Sequence, residues 1–123
     1  MIRFDDWYAL YDDAAHHAEG LRIAVEKLEE RPTRSAGEIA AVERLCAKFC
    51  RATPPQQIDT RPIDIIATEW TDPVFSGARE RLVTLREFAA ERSPNLDGWL
   101  RDLRVGCSDF LDAWRWFNTK VER

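Results

Sequence analysis

The chain has 123 residues, 45% hydrophobic and 33% charged, with a formal net charge of −4. That is the size of one ordinary domain, residues 1–123, able to bury a core without disulfides or metals. Five Trp and six Phe exclude a disordered chain, and no run approaches the ~18 apolar residues of a membrane span.

The first predicted helix runs from about Asp5 to Glu30. Trp7, Tyr11, Ala14, Ala18, Leu21, Val25 and Leu28 recur at alternating steps of four and three, the seam of a helix packed on other helices. Leu10 and Ala24 widen that stripe. Gly20 interrupts it, which a close helix crossing or a kink would explain. Arg31-Pro32 ends the helix, because a residue before Pro is pushed out of the helical region.

Ser35 and Glu38 have the spacing of a capping box and open a second helix. Its stripe is Ile39, Val42, Cys46 and Phe49, flanked by Leu45 and Cys50, and it ends near Ala52. The stretch from Thr53 to Thr71 is too apolar to be a bare loop, carrying Ile58, Ile63, Ile65, Ile66 and Trp70. It reads as a crossover over one end of the bundle, with a short helix starting near Pro62.

Asp72-Pro73 resembles an N-cap followed by Pro in the first turn. The third long helix then buries Phe75, Ala78, Leu82, Leu85 and Ala89, with Val83 and Phe88 beside them. Ser93-Pro94 repeats the cap signature and opens a fourth. Its stripe is Leu96, Trp99, Leu103, Cys107, Phe110, Trp114, Phe117 and Val121. The turn between these two helices is tight, so they are expected to be antiparallel neighbours. The fold class is all-α: a four-helix bundle with a long crossover, carrying a short fifth helix, between the second and third long helices.

Chemical motifs are sparse. His16 and His17 are the only histidines, each four residues after an aspartate (Asp12, Asp13), a spacing that puts two metal ligands on one helix face. A di-metal bundle needs such pairs on several helices, and the others have no His. Cys46, Cys50 and Cys107 fall on core stripes, where free Cys packs as a small hydrophobe. Three Cys cannot all pair within the chain, which fits reduced thiols.

His16-His17-Ala18-Glu19-Gly20 has the His and Gly of the histidine phosphotransfer pattern, a match of five residues that does not make the chain a member of that family. Glu19, however, stands where that family has Lys, placing an anion beside the phosphoryl group. No nucleophile elbow and no phosphate-binding Gly loop occurs. Neither an enzyme nor a cofactor or metal is expected. No helix has the one-sign basic face of a nucleic-acid binder.

Charge position is more informative. Residues 1–30 hold eight acids and three bases, a net of −5, and the rest of the chain nets +1. Asp5, Tyr8, Asp12 and Glu19 fall roughly on one outward face of the first helix, with His16 nearby. A tyrosine among carboxylates suits a basic protein partner. Trp116 lies off the core seam and is a candidate binding anchor or homodimer contact.

The opening Met1-Ile2-Arg3-Phe4-Asp5-Asp6 lacks an apolar signal region, so a cytoplasmic location without membrane association is expected. Arg outnumbers Lys 15 to 3, the bias of GC-rich coding in a bacterium or its phage. The expected function is a small protein-binding module of the inhibitor, immunity or adaptor type, with Asp5, Tyr8, Asp12, His16, Glu19 and Trp116 at its partner-binding surface. The alternatives are a metal-binding or phosphotransfer-like bundle using His16 and His17, and a structural homo-oligomer.

Overall fold

All seven apolar residues of the first predicted seam, from Trp7 to Leu28, are buried, which brings three other helices against one face of the first. The computed structural model describes residues 4–58 and 71–121, with side chains described for 4–58 and 75–119. These residues form α1 (Phe4–Glu29), α2 (Ala36–Ala52), α3 (Pro55–Ile58), α4 (Thr71–Ala90) and α5 (Leu96–Val121). No strand occurs among them. None of the helices is long and apolar enough, among the described residues, to cross a membrane.

Specific contacts give the direction of each helix. The Trp99 indole N–H donates to the Phe88 carbonyl (2.9 Å), and Gly106 faces Leu85, so α4 and α5 run antiparallel. Arg92 pairs with Glu43 (3.2 Å), and one to two turns away Cys50 approaches the Arg86 carbonyl (3.9 Å), so α2 and α4 do too. Tyr8 donates to Asn118 at one end of α1, and Glu29 takes Arg104 (2.7 Å) toward the other. The four long helices therefore form an up-down-up-down ring in the order α1, α2, α4, α5.

Their lengths are unequal. At 1.5 Å per residue α1 and α5 span about 39 Å and α2 only about 25 Å. Beyond the end of α2, α3 takes over: the Tyr11 hydroxyl donates to the Ile58 carbonyl (3.0 Å), and Ile58 is buried. A short helix thus lies at Pro55–Ile58, at the start of the long connection. The one expected near Pro62 falls outside the described residues. At this end Trp7 lies among Phe4, Tyr11, Phe75, Trp114 and Phe117, with ring centroids 4.5–6.1 Å away.

Several helix ends differ from expectation. Ser35 and Glu38 do form the reciprocal box: the Glu38 N–H donates to Ser35 Oγ (3.2 Å) and the Ser35 N–H to Glu38 Oε1 (3.0 Å). Asp72 is already inside α4, which includes Thr71, so it does not cap that helix. Ser93 is also not a helix cap. Its hydroxyl accepts the Asn95 N–H, and Asn95 Oδ1 in turn accepts the Gly98 N–H (3.2 Å), which makes Asn95 the N-cap of α5. Pro94 lies before the cap, outside the helix.

Gly20 marks no helix crossing, because a Cβ built there meets nothing within 4 Å. The close approach is at Gly106, where a Cβ would lie 3.3 Å from Leu85 Cδ1 and 3.4 Å from Phe88 Cδ2. Gly20→Ala should therefore stabilise the protein by about 0.5–1 kcal/mol, through helix propensity and a less flexible unfolded chain. Gly106→Ala should gain less, because Leu85 and Phe88 must give way. Urea unfolding of the two variants side by side measures the difference.

Candidate functional site

The outward edge of α1 is a row of exposed residues, Asp6, Ala9, Asp13, His16, Gly20, Ile23 and Lys27, complementary in phase to the buried seam. Asp5 is exposed beside it, and Asp12 is half-exposed. The acids of this helix divide by position. Toward the C-terminal end each is ion-paired: Arg22 bridges Glu19 and Glu26 (2.8 Å to Glu26), and Arg104 holds Glu29. The hydrogen bonds to Glu19 and then Glu26 hold the Arg22 guanidinium more firmly protonated than usual.

Toward the N-terminal end nothing comparable occurs. Asp5 and Asp6 make no ion pair among the described residues. Asp12 and Asp13 meet only histidines, at 3.8 Å (His16) and 3.5 Å (His17). Four carboxylates within nine residues thus face solvent without Arg or Lys. The positive end of the helix macrodipole favours the first two.

The expected surface changes in two respects. Tyr8 does not stand among the outward carboxylates. It is half-buried toward α5, with its ring 5.0 Å from Trp114 and its hydroxyl on Asn118. The groove beside Trp114 draws it inward, since a flanking aromatic gains more by covering that ring than by facing water. Glu19 is half-buried and tied to Arg22, so it belongs to the neutralised half. Asp5, Asp12 and His16 remain accessible. Asp6 and Asp13, which the face count omitted, join them.

Trp116 on α5 has 54% of its surface exposed. Ile23 (42%) and Val105 (44%) are the other large exposed apolar side chains among the described residues.

The two histidines point to different environments. His16 is exposed, and its Nδ1–H donates to the Asp12 carbonyl (3.0 Å), while the His17 side chain is 29% exposed beside Asp13. Among the described residues no three His, Cys, Asp or Glu side chains converge as a metal ion requires. An Asp12 carboxylate 3.8 Å from the His16 ring would also repel a phosphoryl group there.

The thiols are free and lie in or beside the core, Cys46 and Cys107 buried and Cys50 half-buried. Burial pushes Cys46 and Cys107 up to about 12, and raises Cys50 as well, so all three stay neutral at ordinary pH. A thiol pKa raised by folding contributes stability that is complete below the unfolded value of about 8.5 and is lost as pH approaches 12. Stability measured by urea should therefore fall steeply between these limits, and a Cys46→Ala/Cys107→Ala variant should fall less. In the native protein a thiol reagent should modify Cys50 first and the other two only on unfolding.

No family model, no curated protein and no solved structure matches the chain.

Proposed function

We propose that the chain is a protein-binding module without catalysis, of the inhibitor, immunity or adaptor type, that presents the N-terminal half of α1 to a basic surface on its partner. The supporting observation is the uneven neutralisation of α1: Glu19, Glu26 and Glu29 have internal arginines, whereas Asp5, Asp6, Asp12 and Asp13 have none. Carboxylates left without internal cations on a rigid helix give directed charge at little reorganisation cost. This steers a basic partner and forms charge-assisted bonds with its Arg side chains. Exposed Ala9 and Ile23 on the same row add flat apolar area. A cytoplasmic location fits the three free thiols.

The test is affinity capture from host lysate with the wild-type protein and an Asp5→Lys/Asp6→Lys/Asp12→Lys/Asp13→Lys variant, with circular dichroism to check the fold. The wild type should retain basic proteins that rising salt releases, and the folded variant should lose them. Equal capture by both would refute the acidic-face reading.

A further inference from the structure

The side of the ring away from α1 carries an unfilled groove. It lies between α2, the C-terminal end of α4 and the start of α5. Its volume of about 510 Å³ is within the ~300–1,000 Å³ range of small-ligand clefts. Cys46, Ala47, Cys50, Ala89 and Ala90 line it. These side chains are too short to meet across the gap, whereas Trp, Tyr and Phe fill the seam between α1 and α5. Burial raises the Cys46 and Cys50 thiols and keeps them neutral, so the lining is apolar.

The two ends of the groove differ in charge. One is closed by Trp99, with the Arg92 guanidinium 4.8 Å over its ring and paired to Glu43 (3.2 Å). This end is therefore neutral. Arg51 stands at the other, eight residues along α2 from Glu43, or about 12 Å at 1.5 Å per residue. It has no carboxylate partner among the described residues. Beyond Cys50, Arg86 donates its Nε–H to the Thr53 carbonyl (2.7 Å), and its charge adds positive potential at the same end. Among the described lining residues one free cation thus stands at the end of an apolar floor. Several carboxylates would find one match here, whereas a single anionic head on an unbranched apolar tail matches both features. At about 1.3 Å per carbon of an all-trans chain built from ~1.5 Å bonds, 12 Å corresponds to about ten carbons.

We propose that the α2–α4 groove binds a medium-chain aliphatic monocarboxylate, with its carboxylate on Arg51 and its tail along Ala47 and Ala89 toward Trp99. The guanidinium fork suits a carboxylate, and the small side chains leave both walls in van der Waals reach of the methylene chain. The site uses neither α1 nor its carboxylates, so it stands or falls apart from the α1 surface.

Isothermal titration of the whole chain with octanoate and decanoate tests this. Octanoate should bind roughly tenfold or more tightly than octanol, octylammonium or butyrate. Decanoate should bind at least about threefold more tightly than octanoate, as two further buried methylenes require. Arg51→Glu should lose roughly tenfold or more, and Arg51→Lys less. Ala47→Phe, which fills the groove from an exposed position, should lose a similar factor. All three variants should keep the wild-type helical signal in circular dichroism. Amide shifts induced by decanoate should concentrate at Cys46, Ala47, Cys50, Ala89 and Ala90.

Absence of binding at millimolar decanoate, equal binding of octanoate and octanol, or unchanged binding by folded Arg51→Glu or Ala47→Phe would overturn the proposal. So would a wild-type dimer in sedimentation that Ala47→Phe dissociates, which would assign the groove to a second copy of the chain.

Discussion

Trp7→Ala is expected to destabilise the protein by about 3–5 kcal/mol, enough to unfold a domain of ordinary stability or to leave it barely folded. Trp7 is fully buried, and its ring meets five others, from Phe4 and Tyr11 on its own helix to Phe75 on α4 and Trp114 and Phe117 on α5. Removing it opens a cavity that these rings cannot close, since each is held by its own neighbours. Trp7→Phe should cost far less. Among the described residues the buried indole Nε1 has no hydrogen-bond partner, and an orphaned buried donor costs about 1–3 kcal/mol, which phenylalanine recovers against its smaller volume. Denaturant unfolding of both variants gives the comparison, and a Trp7→Phe loss as large as the Trp7→Ala loss would contradict it.

Arg34→Ala should rank next, at about 1.5–3 kcal/mol, because charge-assisted bonds to half-buried acceptors are worth that much. The Arg34 guanidinium closes the C-terminal end of α1: its Nε donates to the Leu28 carbonyl (2.9 Å) and one terminal nitrogen to the Glu29 carbonyl (3.2 Å). The other terminal nitrogen pairs with Asp97 in the first turn of α5. One side chain thus satisfies two end carbonyls and joins two helices. Arg34→Lys should recover only part of the loss, since an ammonium cannot reproduce the planar fork. Unfolding midpoints of the two variants check this. Asp97→Ala, which removes only the exposed partner, should cost under about 1 kcal/mol.

These two side chains show where sequence reasoning succeeds and where it stops. Trp7 was legible because a buried helix face repeats at 3.6 residues, and the same periodicity located every core position of α1 and of α4 from Phe75 to Ala89. Arg34 was invisible, since its acceptors depend on how the chain turns after α1. Leu100 and Leu111 were missed for a related reason. α5 packs on both α1 and α4, so its buried face is wider than a single seam. Ser93-Pro94 imitated a helix start because the motif is local, whereas Asn95 wins by where its side chain reaches.

The candidate site was legible as charge and illegible as pairing. The −5 total of residues 1–30 could be counted, but not that Arg104, 75 residues from Glu29, neutralises part of it. Nor could the helical wheel place Tyr8, whose position follows from the Trp114 ring beside it. The structure therefore moves the surface toward the helix start. Tyr8 and Glu19 drop out, while Asp6 and Asp13 enter.

The proposed partner-binding surface is the set of carboxylates at the start of α1 that have no Arg or Lys partner among the described residues. Carbodiimide footprinting of the protein, free and bound to a captured partner, tests it most directly, because the reagent reports each carboxylate separately. Labelling of Asp5, Asp6, Asp12 and Asp13 should fall severalfold in the complex, with that of exposed Asp112 on α5 unchanged. Equal labelling of the four in both states, with protection elsewhere on the bundle, would contradict the claim.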